Sequence, residues 1–256
     1  MKSKFIILGC GSSVGVPRID GFWGKCNKSN KKNRRSRCSA IISKGSNSIL
    51  IDTSPDLREQ LLFNKIKRIS SVLFTHEHAD QTNGLFELRP FFWKYKKKIN
   101  IYANLKTVNL LKKRQDYLFK KINVYPPIVK ANVVNSKFSL GNLKEKIYFK
   151  TIKAKHGKTS TVIYIFEKTA YISDSNDLSI IKSKELQNLK YLIIDCLKIK
   201  KHPSHFNLKE SLYVHQCLKP KKTILTNLHY DLDYDSLLKK LPPNVVPAYD
   251  GFTLNL

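Results

Sequence analysis

The chain has 256 residues, 41% hydrophobic and 26% charged. A chain of this length buries roughly 70% of its unfolded surface, which excludes a disordered polymer, and no apolar run approaches the ~18–20 residues of a membrane-spanning helix. Lys and Arg number 47 against 19 Asp and Glu, a net charge of +28. Such a field attracts polyanions. Only eight of the basic residues are Arg, however, and abundant Lys, Asn and Ile together are also what an A+T-rich coding bias produces.

In chain order, residues 5–10 read as a first strand running into the turn Gly11-Ser12-Ser13. Lys2, Lys4 and Cys10 imitate a lipoprotein leader, but the apolar stretch falls short of the ~7–15 residues of a signal core. Residues 25–37 are hydrophilic and lack apolar periodicity, so they form an exposed loop that either touches a phosphate or is simply solvated. Short runs rich in Ile, Val, Tyr and Phe predict strands at 39–43, 48–52, 72–75, 99–103, 147–152, 161–166, 170–173, 191–195 and 223–226. Helical spacing predicts three helices. The first covers 56–63 and is opened by Pro55, the second covers 105–118, and the third covers 208–218 behind Asn207 as N-cap. No linker or repeat divides the chain, so the expectation is one domain, 1–256, of mixed α/β class with two sheets and outer helices.

Five cysteines (Cys10, Cys26, Cys38, Cys196, Cys217) are scattered without a C-x-x-C pair. Neither a disulfide framework nor a zinc ribbon is indicated, and a reduced, cytoplasmic chain is expected. Chemistry concentrates in Thr75-His76-Glu77-His78-Ala79-Asp80-Gln81, directly after an apolar strand. In an extended segment residues 76, 78 and 80 share one side. Two imidazoles and a carboxylate converging there are donors for Zn²⁺, Mn²⁺ or Fe.

Thr-His-x-His-x-Asp after a strand resembles the signature of the metallo-β-lactamase fold, whose usual form is H-x-H-x-D-H. Further landmarks of that fold follow in order at Asp52, His156, Asp174 and the segment Leu225-Thr226-Asn227-Leu228-His229. The opening Leu8-Gly9-Cys10-Gly11-Ser12-Ser13-Val14-Gly15-Val16-Pro17, the segment His202-Pro203-Ser204-His205-Phe206 and the ending Ala248-Tyr249-Asp250-Gly251 are similar to the phosphoribosyl 1,2-cyclic phosphate phosphodiesterases of phosphonate breakdown.

The resemblance implies an αββα sandwich of two mixed β-sheets and a hydrolase with two divalent metal ions, Zn or Mn. His76, His78 and His156 would hold the first ion, Asp174 would bridge, and Asp80 would hold the second. The family's next histidine is Gln81 here, and the late one falls on Asn227, so His229, two residues on, is expected to stand in. Both departures touch the second ion. Family members with an extra structural zinc use clustered cysteines in an early loop, where this chain offers only Cys26 and Cys38; these read as buried, inert thiols.

The implied activity is hydrolysis of a small anionic, cyclic phosphodiester by metal-activated hydroxide, with Asp80 orienting the nucleophile and His205 protonating the leaving group. His202 reads as a capping or packing residue, and His215 as a helix-face residue. Two alternatives remain open from sequence: a transfer-RNA 3′-processing type of endonuclease, for which nucleic acid would be the partner, and a metal-degenerate anion-binding scaffold. The sequence sets no oligomeric state, and a dimer is compatible with it.

Overall fold

The computed structural model describes residues 1–256. The chain first builds one sheet from β1 (Lys4–Gly9), β2 (Ser39–Lys44), β3 (Asn47–Ile51), β4 (Ser71–Leu73), β5 (Ile99–Ala103) and β6 (Val129–Val133). It then builds a second from β7 (Lys137–Leu140), β8 (Ile147–His156), β9 (Thr159–Phe166), β10 (Thr169–Ile172), β11 (Tyr191–Asp195), β12 (Lys222–Thr226) and β13 (Val245–Pro247), and returns to the first with β14 (Phe252–Asn255). The spatial orders are β14-β1-β2-β3-β4-β5-β6 and β13-β12-β11-β10-β9-β8-β7. Each sheet is antiparallel in one half and parallel in the other: pairing turns parallel from β3 to β6 and from β10 to β13.

Alternation along the strands decides which face each side chain serves. Phe5 and Ile7 of β1, Ile49 and Ile51 of β3, Tyr164 of β9 and Ile193 of β11 fill the core between the sheets. Their neighbours Ile6, Leu8 and Leu50 face outward and meet helices α1 (Leu57–Phe63) and α4 (Leu105–Arg114) through Leu57, Leu61, Val108 and Leu111. On the other outer face Ile163, Ile165, Leu192 and Ile194 meet α5 (Leu208–Leu218) through Val214 and Leu218. Two further short helices, α2 (Ala79–Thr82) and α3 (Arg89–Tyr95), follow β4, and α6 (Tyr234–Leu238) follows β12. The αββα sandwich expected from the sequence is present.

The strands absent from the expectation share one place in the sheets. The four strands that sequence periodicity missed, β6, β7, β13 and β14, are the four sheet edges. β6, β7 and β14 are short and carry exposed polar residues such as Lys130, Lys137, Ser139 and Asn255, so they lack the apolar density of paired interior strands, and β13 is apolar but only three residues long. The second helix stops at Arg114, and residues 116–118 form a separate 3-10 turn. Asn207 caps α5 as expected: its Oδ1 accepts from Glu210 N at 2.9 Å and Glu210 Oε2 accepts from Asn207 N at 3.0 Å.

Candidate metal centre

β4 ends at Leu73, two residues before its expected end, and Thr75–His78 leave it as a loop. His78 is the N-cap of α2, and its carbonyl accepts from Thr82 Oγ1 at 2.8 Å. Asp80 therefore sits in the first turn of a helix, so a helical turn and not strand alternation places it. His156 arrives from the far end of β8 in the other sheet.

His76, His78 and His156 form a triangle, with ring centroids 4.5, 4.8 and 5.0 Å apart. Asp52, at the end of β3, accepts from Thr75 N and Thr75 Oγ1, each at 2.8 Å. That hydroxyl, having given its proton to a carboxylate, takes the Nδ1 proton of His76 at 3.0 Å. His156 Nδ1 donates to the Ser204 carbonyl at 2.7 Å. Both rings thus turn a bare Nε2 toward the centre, as partners of ligand imidazoles do.

The donor set fits a divalent cation on two observations. His76 Nε2 is buried without a hydrogen-bond partner, and His156 Nε2 lies 3.3 Å from His78 Nδ1, a gap that a shared proton or cation must fill. Burial pushes His76 down to about 3, and His156 is lowered by burial as well, which keeps both imidazoles neutral and available as ligands.

Asp174 follows β10 and His205 lies in the loop after β11; with His156 they form a second, overlapping donor group. Burial works to raise the Asp174 carboxyl, but the imidazoles of His76, His205 and His156 prevail and hold it below its usual range. Burial and the Asp174 charge raise Asp80. His205 Nδ1 is 2.8 Å from Asp195 Oδ2 and 3.8 Å from Asp174 Oδ1. Burial lowers His205, yet Asp195, Asp174 and Asp80 outweigh it and lift the imidazole to about 9. Burial takes Asp195 itself to about 7 against the pull of His205.

His229 is not brought to this cluster. Asn227 takes a left-handed backbone, φ 60°, which breaks the strand alternation on which the stand-in reading depended. His229 pairs with Asp231 at 3.2 Å and packs on Tyr230. Asn227 faces the site instead, its Nδ2 3.2 Å from Asp174 Oδ1 and 3.2 Å from His205 Nδ1. Gln81 Nε2 lies 3.3 Å from both Asp80 Oδ2 and Asp174 Oδ2. His202 sits beside the cluster, its ring 5.2 Å from that of His205. His215 lies apart, bonded to Thr223 Oγ1 at 2.8 Å.

Asp195 is the residue the sequence reading passed over. Its signal was present: a carboxylate ending the apolar run Tyr-Leu-Ile-Ile-Asp is buried only where something compensates it. A depression of about 550 Å³ at the β8–β9 turn is walled by Lys106, Lys153, Lys155, Lys158 and Thr159 and is itself lined by none of the donors. A separate cavity of about 870 Å³, bordered by Val16, Trp23, Lys28, Arg34 and Phe63, contains none of the donors.

The beta-lactamase superfamily domain matches residues 47–230. The chain belongs to this superfamily. A crystal structure of a diphosphatase from the PhnP family is similar over 100% of this chain and 98% of its own, with TM-score 0.90 and 31% identity. The chain is accordingly a metallo-β-lactamase fold hydrolase of the PhnP branch, and a metal-dependent one. Human tRNase Z, short form, shares the fold at TM-score 0.70 and 16% identity, covering 98% of each chain. A curated relative, an octanoyltransferase of Porphyromonas gingivalis, is 30% identical over 97% of this chain, which spans only 50% of that protein. No helix is long and apolar enough to cross a membrane.

Proposed function

We propose that this hydrolase cleaves a small anionic phosphodiester of the cyclic kind, with a diphosphate as the second reading. One observation carries the proposal: a three-imidazole face with a buried carboxylate, Asp174, stands next to an imidazole, His205, whose Nδ1 lies 2.8 Å from the buried carboxylate of Asp195. The second reading is favoured by the 31% identical PhnP-family diphosphatase.

His76, His78, His156 and Asp174 would hold the divalent ion, Zn or Mn. When bound, such an ion supplies Lewis acidity toward phosphoryl oxygens and lowers the pKa of water toward ~7. Asp80 accepts a hydrogen bond from the attacking water and aligns it with phosphorus. As the bond from phosphorus to the leaving oxygen breaks, His205 Nε2 gives that oxygen its proton, while Asp195 fixes the ring through Nδ1. The lysines around the adjoining depression draw the anion in.

A panel of 5-phosphoribosyl 1,2-cyclic phosphate, 2′,3′-cyclic nucleotides, a nucleoside diphosphate and precursor transfer RNA, each with Mn²⁺ and Zn²⁺, tests the proposal. Turnover of a cyclic phosphodiester is the expected result. Turnover of the diphosphate alone selects the second reading, and cleavage confined to transfer RNA, or none at all, overturns both.

A further inference from the structure

We infer that this centre is built for one divalent ion: the side-chain amides of Gln81 and Asn227 stand where a second ion would need its place and its ligands. The inference rests on the ion-holding role of His76, His78, His156 and Asp174 given above, and not on the identity of the substrate.

The orientation of both amides is fixed by their surroundings. Asn227 Nδ2 is 3.0 Å from the Ser173 carbonyl, which can only accept, so the nitrogen and not the oxygen is the atom turned to Asp174 and His205. An amide N–H₂ has no lone pair to give a cation. Gln81 Nε2 bridges the carboxylates of Asp80 and Asp174, 3.3 Å from an oxygen of each. The reverse orientation would set the Gln81 oxygen against two carboxylates. A neutral donor thus lies between the two acids, the position a bridging cation would occupy, and its hydrogens satisfy the oxygens that the cation would have neutralised. Both oxygens of Asp174 receive one amide each, which leaves each oxygen a further lone pair. That is enough for an ion on the imidazole face.

Counting free donors leads to the same number. The two clusters that could hold an ion share His156. Its Nδ1 is spent on the Ser204 carbonyl, so its single bare nitrogen serves one ion. The donors left to a second ion are Asp80 and His205, a share of Asp174 and the weak amide oxygen of Gln81, which is buried without a partner, while the Gln81 nitrogen lies between the two acids. Where imidazoles would bind a borderline cation strongly, this wall offers N–H groups.

The test counts ions without substrate. Chelator-stripped protein is reloaded with Mn²⁺ by equilibrium dialysis, followed by elemental analysis and electron paramagnetic resonance. The wild type is expected to retain about one tightly held ion per chain, with the spectrum of isolated Mn²⁺. The double variant Gln81→His, Asn227→His is expected to take up about one ion more and to show an exchange-coupled pair. Two ions of comparable affinity in the wild type, an exchange-coupled wild-type spectrum, or retention of no ion would overturn the inference. So would a double variant that is folded by circular dichroism yet stays at one ion. If the double variant does not fold, the wild-type count and spectrum still decide. Failure of the phosphodiester panel with a wild type holding one ion would overturn the proposed substrate and leave this inference standing.

Discussion

The two walls of the centre share Asp174 but differ in chemistry. On one wall three imidazoles converge, each within 5.0 Å of the others, and one of their nitrogens is buried without a partner. On the other wall two amides give their hydrogens to the same carboxylate. On the first wall a buried imidazole nitrogen is left for a cation, whereas on the second the carboxylate oxygens of Asp80 and Asp174 already receive amide hydrogens, and only the weak amide oxygen of Gln81 is left without a partner. One sandwich framework can therefore present an ion-binding face and an amide-filled face side by side, because the side chain set at each position, not the fold, decides what is held there.

Breaking the imidazole wall has the largest expected effect. His78→Ala should lower kcat/KM for bis(p-nitrophenyl) phosphate by on the order of 1,000-fold, about 4 kcal/mol, with loss of bound metal by elemental analysis. Wild-type turnover in a variant of measured metal content would break the assignment.

Next comes the proton donor between the walls. His205→Asn should slow esters with alkoxide leaving groups by about 10²–10⁴-fold and leave p-nitrophenolate departure much less affected, since that group needs no proton. The same group sets a pH limit. With its imidazole lifted to about 9, His205 is protonated below that pH, so alkoxide departure should fall as pH rises through about 9. In Asp195→Asn, which removes the counter-charge, the falling limb should move to lower pH. A limb that stays in place in steady-state profiles contradicts the His205–Asp195 assignment.

Truncating the amide wall should act on stability. Gln81→Ala removes the Nε2 donor from both Asp80 and Asp174, and a buried acceptor left unpaired costs about 1–3 kcal/mol. Urea unfolding should show the loss at constant m. The smallest effect belongs to His229→Ala, whose side chain pairs with Asp231 outside the cluster. Metal content should be unchanged and kcat/KM should stay within about twofold.

The contrast between the walls also shows what the sequence could carry. His76 and His78 were legible because a short polar motif interrupts buried apolar strands, and the interior strands because their apolar alternation is dense. The four edges were not legible, since β6, β7 and β14 mix exposed polar residues into a few apolar ones and β13 is only three residues long. The position of Asp80 was predicted from the wrong geometry, a strand in place of a helical turn. His229 was misplaced because a single left-handed residue, Asn227, reverses the face on which the chain continues. The pairing of Asp195 with His205 spans ten residues of loop and no spacing rule announces it.

One titration tests the joined claim of chemistry and ion number. Metal-stripped wild type is titrated with Mn²⁺ under tight-binding conditions while hydrolysis of bis(p-nitrophenyl) phosphate is followed. The account predicts activity that rises linearly and saturates at about one ion per chain. Activity that stays silent until a second equivalent is added, or that is the same with and without metal, would contradict it.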